Sequence, residues 1–421
     1  MKIITFSILL LIGSTVIYAQ NNEFLPLSRY GYGTLSSFYA PFTQGCGHAG
    51  IAYTGIDEFN ASNPATLGFL KVTDAEIGYN IKFKEISDQR QTLNDRSGSL
   101  SYLEIGIPLR NSINQILERK EYKNNFGLSV GLLPFSSTSF NYQINDSTDV
   151  GAQIRKLTGS GGLNKLQLGF GFKYKNFGIG ANLGIIFGNL KFEQFYYLRD
   201  VYPSSKDHYI DRYFGSGTQF QLAMLYQTTL NNSIIKSDLT KKAKTLSYSL
   251  VVSLPSNISM SRYALHYSEL SFANVSSIRD TILYKDDNLS KSQLPFKVTG
   301  GISFNNKDKN GILLDGAIEN WSNLNLFEGV KGELTNQSFI AVGAWIKPDQ
   351  SGYGKILKRS QYRIGCFYEN GYLKIKDETL TNYGITIGMG TSFNFQRQQC
   401  VVNLGLELGK SQIANQITEN Y

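Results

Sequence analysis

The feature that most constrains this chain is a two-residue alternation, repeated in runs of about ten residues from residue 74 onward. In the first run Ala75, Ile77, Tyr79, Ile81 and Phe83 share one face, and Glu76, Gly78, Asn80, Lys82 and Lys84 share the other. Near 387, Ile385, Ile387, Met389, Thr391 and Phe393 oppose Gly384, Thr386, Gly388, Gly390 and Ser392. Near 405, Val402, Leu404, Leu406 and Leu408 oppose Asn403, Gly405, Glu407 and Gly409. Side chains alternate across a strand, so each run makes a strand with one apolar face and one small or polar face.

Thirteen such runs are visible, at 73–86, 97–109, 125–144, 163–175, 177–198, 210–227, 244–266, 294–305, 310–326, 333–347, 360–375, 378–396 and 399–410. Strands of a soluble sandwich are about five or six residues long. Many of these runs reach the roughly 9–11 residues that cross a bilayer at a tilt. Tyr196, Tyr197, Tyr226, Tyr263, Tyr368 and Tyr372 fall near strand ends, as in the aromatic girdle of a transmembrane barrel. A bilayer offers the backbone no partners, so the sheet must close on itself.

The expected fold is therefore all-β, a transmembrane antiparallel β-barrel. Single-chain bacterial barrels have an even strand number. Ser411–Tyr421 is polar and does not alternate, so the sequence reads as one strand short, or as closing through an unusual element.

Composition agrees with a barrel and excludes other classes. Charged residues are 18%, below the roughly 25% of a soluble domain. The 26 Tyr and 26 Phe argue against disorder, which is poor in aromatics. The 41 Gly exclude a long coiled coil, and no segment after the first twenty residues is a spanning helix. Three cysteines, Cys46, Cys366 and Cys400, make no disulfide framework. Cys46 and His48 lack the second pair that a metal site needs, so no metal or other cofactor is expected. The lysines at 236, 241, 242 and 244 read as a solvated connection, and nothing resembles a nucleic-acid module. The three histidines form no recurring Ser–His–acid spacing, so an enzyme is not expected.

Lys2, the apolar stretch from Ile3 to Ile12 and the small residue Ala19 read as a secretory signal peptide over residues 1–19. Gln20 rather than Cys would begin the mature chain, so a lipoprotein is not indicated. Tight connections at Lys175–Asn176, Asn305–Lys309 and Gln396–Gln398 place those strand ends in the periplasm, because outer loops are the longer ones. By the same rule 145–162, 199–209 and 267–293 read as long outer connections.

Residues 20–72 differ in kind, being rich in Gly, Ser and aromatics without alternation. Fifty residues are too few for an independent core. They read as a plug inside the barrel, with 73–421 as the barrel itself.

The stretch from Gly45 to Ala52, followed by Asn60-Ala61-Ser62-Asn63-Pro64-Ala65, resembles the N-terminal hatch of the FadL-type transporters of long-chain fatty acids and aromatic hydrocarbons. Phe126 to Phe135 is similar to that family's third strand, and Tyr362 to Glu407 to the last strands of Bacteroidota members. The resemblance implies a 14-stranded barrel with a hatch. Asn63, Pro64 and Ala65 would be hatch residues, and Pro134, Phe135 and Ser136 would mark an opening in the wall. Pro134 within a long run independently suggests a break in the ladder.

The function so implied is passive uptake of hydrophobic small molecules across the outer membrane, with lipid and lipopolysaccharide around the barrel. Alternation points Arg363 inward, where it is a candidate for a ligand's carboxylate. The alternative is a non-transporting FadL-like barrel acting with other envelope proteins in a secretion or assembly complex. Ser136 stands where the family has Gly, and the hatch is poorer in Ala.

Overall fold

The computed structural model describes residues 24–36, 40–55, 60–88, 92–110, 123–148, 151–198, 204–231, 243–272, 275–306, 309–322, 324, 333–349, 355–375, 378–395, 398–413 and 417–421. The expected signal peptide, 1–19, lies outside the described residues.

The N-terminal segment supplies a 3-10 turn (Pro26–Arg29), a strand β1 (Thr34–Leu35), a helix α1 (Pro41–Gly45) and a second 3-10 turn (Pro64–Phe69). Then come β2 (Asp74–Asp88), β3 (Thr92–Pro108) and β4 (Asn124–Ser137). After Thr138 and Ser139 the chain resumes as β5 (Phe140–Thr148). β6 (Gly151–Tyr174), β7 (Phe177–Leu198) and β8 (Ser204–Thr229) are the longest described strands.

β9 (Lys244–Ser253) breaks at Leu254-Pro255 and continues as β10 (Ser256–Phe272). β11 (Val275–Leu294) breaks at Pro295-Phe296 and continues as β12 (Lys297–Asn306). Proline cannot donate to the ladder, and both breaks sit at one level of the same hairpin. β13 (Asn310–Glu319), β14 (Glu333–Leu334), β15 (Gln337–Ile346) and a helix α2 (Ile356–Arg359) follow. The chain ends with β16 (Gln361–Ile375), β17 (Glu378–Phe395), β18 (Gln398–Ile413) and β19 (Ile417–Asn420).

Antiparallel pairings run from β2 through β3, β4, β6, β7, β8 and β9. They continue through β12, β13, β15, β16, β17, β18 and β19, which returns to β2. That is a ring of 14 strands, as expected. The fourteenth is β19, whose four residues pair with Lys410–Ile413 on one side and Glu85–Asp88 on the other. So short a strand has no alternation to read.

The alternation is inside out, as a bilayer requires. Ile385 and Leu404 are 58% and 60% exposed on the outer surface, while Thr386 between two such positions is 1% exposed. The outer connections differ from expectation. β6 begins at Gly151 and β8 at Ser204, and β11 fills most of 267–293. With β5 and β10 they form a tall sheet above one side of the ring. Its inner face still contributes to a buried core, through Leu190, Ile258, Met260 and Leu294.

Candidate functional site

The N-terminal segment packs inside the ring, and small inward residues set how closely it lies. Gly180 faces the backbone of Pro64 and Ala65, where a Cβ would overlap both. Gly365 faces the backbone of Cys46 and Gly47 with the same consequence. This is the close backbone approach that only glycine allows.

Asn63 caps the second 3-10 turn, with Oδ1 accepting from Ala65 N at 3.0 Å. Its Nδ2 donates to Ile51 O at 2.6 Å and to Ser249 Oγ of the wall at 2.7 Å. Pro64 fits the first turn, where its missing N–H costs nothing. Ala65 is fully buried, in one cluster with Ile51, Phe69, Ala223, Leu225 and Val251.

Two wall carboxylates hold the same segment. Asp315 accepts from Gly50 N at 2.5 Å and Ile51 N at 2.7 Å. His48, at φ 68°, stacks on Phe367 with ring centroids 4.4 Å apart and donates from Nε2 to Glu407 Oε2 at 2.9 Å. Both carboxylates escaped the sequence reading, because an inward acid in a barrel strand looks like any other wet-face residue. Arg363 is 3% exposed; it donates to Asn403 Oδ1 at 2.9 Å and Gln361 Oε1 at 3.1 Å. Its guanidinium carbon lies 4.7 Å from the centre of the Phe42 ring. It touches both wall and N-terminal segment.

Towards the outer end the lumen is filled by aromatics. Tyr32 lies 6.1 Å from Trp321, and Trp321 lies 4.7 Å from Tyr372. Tyr372 Oη donates to Gly33 O at 2.8 Å, Trp321 Nε1 donates to Glu319 Oε2 at 3.0 Å, and Tyr32 Oη pairs with Ser292. Burial pushes the Tyr32 hydroxyl up to about 12. Leu163, Ile186, Leu190, Ile258 and Met260 complete this core.

Pro134, Phe135 and Ser136 lie where the wall changes. β3 pairs with β4 only as far as Leu103↔Leu132. Beyond it β4 carries a bulge against β6 between Pro134 and Ser136. On the side that β3 leaves, β1 pairs with β4, Leu35 opposite Ser136 and Thr34 opposite Ser137. Ser36 N donates to Phe135 O at 2.9 Å, and Leu25 N to Ser139 O at 2.6 Å. The N-terminal segment thus completes the wall at this level.

Between the two fillings is a chamber of about 200 Å³, bordered by Leu133, Pro134 and Phe135. Most of its other lining is polar or charged, including Lys165, Gln167, Lys297 and Glu369. Lys297 pairs with Glu319, Gln337 donates to Glu369, and Lys165 Nζ donates to Gln219 Oε1 at 3.5 Å.

Solved structures share this architecture. A FadL homologue of Pseudomonas aeruginosa superposes with a TM-score of 0.57 at 12% identity, covering 93% of this chain and 96% of its own. The CymD monoaromatic hydrocarbon channel superposes with a TM-score of 0.53 at 14% identity, covering 91% and 94%. The fold is that of the FadL-type channels. No curated protein matches the sequence. The family model described as BamG matches residues 1–421, the full length, and the chain belongs to the BamG family.

Proposed function

We propose that this chain is a non-transporting FadL-like barrel subunit of an outer-membrane secretion or assembly complex, working with other envelope proteins. The observation that carries it is the filled lumen. The N-terminal segment is hydrogen-bonded to the wall below, the Tyr32–Trp321–Tyr372 core closes it above, and β1 completes the wall beside Pro134. The chamber left between them is small beside the roughly 300–1,000 Å³ of ligand pockets, and most of the residues that line it are polar or charged.

In this reading residues 1–19 are a cleaved signal, 20–72 a fixed plug and 73–421 the barrel, set among outer-membrane lipid and lipopolysaccharide. Asn63, Pro64 and Ala65 anchor the plug. Arg363 ties wall to plug through Phe42 and Asn403.

A second reading, passive uptake of a hydrophobic small molecule through a wall opening, is favoured by the chamber's contact with Pro134 and Phe135. Native purification of a tagged full chain in mild detergent separates the two. The first expects large envelope proteins in fixed stoichiometry and no retention of a radiolabelled fatty acid or toluene. A monomeric barrel that retains such a ligand, and loses it on Pro134→Ala, sinks the first and supports the second.

A further inference from the structure

The barrel end that carries the Lys175–Asn176 turn, read from the sequence as periplasmic, is basic. Lys175 stands in the β6–β7 turn and Lys309 in the β12–β13 turn. Lys347, Lys355, Lys358 and Arg359 belong to the connection around α2. Arg110 and Lys123 flank the connection from β3 to β4, and Lys71 and Lys244 lie at the starts of β2 and β9. The acids among the described residues of this rim are Asp74 and Asp349.

The opposite end is charge-balanced. Asp146 faces Arg155 there, Glu193 faces Lys191, Asp211 faces Arg262, and Glu333 faces Lys374. Among the described residues no carboxylate pairs with Lys175, Lys309, Lys355 or Lys358.

The geometry of the rim says which kind of anion it suits. Lys175 Nζ lies 5.3 Å from the centre of the Tyr174 ring, and the Arg110 guanidinium 5.9 Å from that of Phe126. Tyr174 is 50% exposed, and Tyr226 and Tyr248 continue the same outward belt. Further round the same rim, between β15 and β16, α2 presents Ile356 and Leu357, 59% and 66% exposed, between Lys355 and Lys358. The helix is held against the wall: Tyr362 Oη donates to Leu357 O at 2.7 Å, and Ser360 Oγ, at the helix end, is 2.6 Å from Thr391 Oγ1 of β17. Cations above lipid-facing rings, with an apolar pair among them, match the layering of a bilayer interface, where long basic side chains reach from apolar surface to phosphate. A soluble acidic protein would meet the turns from below and leave the apolar pair unused.

We propose that this basic collar binds the headgroups of anionic phospholipids in the periplasmic leaflet, with Ile356 and Leu357 seated among their acyl chains. The proposal rests on the barrel's place in the membrane and not on its partners. Attraction to an anionic surface acts within a Debye length and is screened by salt.

The test uses the full chain reconstituted in phosphatidylcholine bilayers carrying traces of spin-labelled phosphatidylglycerol or spin-labelled phosphatidylcholine. The expected result is that the wild type restricts phosphatidylglycerol about three-fold more than phosphatidylcholine at low salt, and equally in about 0.5 M NaCl. Joint replacement Lys175→Gln, Lys309→Gln, Lys347→Gln, Lys355→Gln and Lys358→Gln brings the ratio to one. The outer-end set Lys156→Gln, Arg212→Gln and Lys285→Gln leaves it as in the wild type. Folding is read by the heat-dependent shift in gel mobility; if the five-site chain does not fold, the Lys355→Gln, Lys358→Gln double variant must lower the ratio. Equal restriction of the two lipids by the wild type overturns the proposal, and is the result that a collar made for an acidic periplasmic protein would give. Selectivity unchanged in the folded variant also overturns it.

Discussion

The two fillings of the lumen are built on different physics. The lower one is backbone against backbone: Pro64, Ala65, Cys46 and Gly47 lie on bare wall glycines and are fixed by Asn63, Asp315 and Glu407. The upper one is side chain against side chain, with Tyr32, Trp321 and Tyr372 packed among aliphatic residues. The lower filling is therefore intolerant of any atom added at those glycines. The upper one depends on volume, as an ordinary core does.

The largest test of this contrast is Gly180→Val combined with Gly365→Val. Each adds a side chain where backbone already lies. The expected outcome is a segment expelled from the wall, read in planar bilayers as a step from a closed barrel to one with open-pore conductance. Trp321→Ala comes next. It removes a buried ring at 2% exposure, and a loss of about 3–5 kcal/mol is expected from urea unfolding, with the barrel still closed below.

Asn63→Ala removes a cap and two donated bonds, and about 2–3 kcal/mol is expected. The same variant raises amide exchange in residues 50–66, which Trp321→Ala leaves unchanged. The smallest effect is Tyr32→Phe, which keeps the packing and loses the Ser292 bond, about 1 kcal/mol. If Tyr32→Phe costs more than Trp321→Ala, the upper filling is held by polar bonds after all and the contrast fails.

The same divide explains what could be read from sequence. The ring was legible because a bilayer outside and a wet lumen inside impose alternation on Ile385–Phe393 and Val402–Leu408. The hatch motif at Asn63-Pro64-Ala65 was legible because capping and N1 proline are local chemistry. The partners of that motif were not. Ser249 is 186 residues from Asn63 and Asp315 is 264 from Ile51, and neither has a local mark. Nor was Tyr32 distinguishable from other tyrosines, since its burial comes from Trp321 and Tyr372 far along the chain. β11 was hidden because its residues, from Val275 to Leu294, mix charged and apolar types without a regular alternation.

The unequal height of the wall gives the molecule a mechanical direction. β8 has 26 residues, whereas β13 and β15 have ten each. At about 3.3 Å per residue and a tilt near 45°, β8 rises about 60 Å, against an apolar band of about 25 Å. One flank therefore stands some 30 Å clear of the bilayer, with no counterpart across the ring among the described residues. A push on its tip is a torque on the barrel, resisted by lipid at the base. The protein has a front and a back in the plane of the membrane, so a body resting on the raised flank would fix the barrel's heading as well as its position.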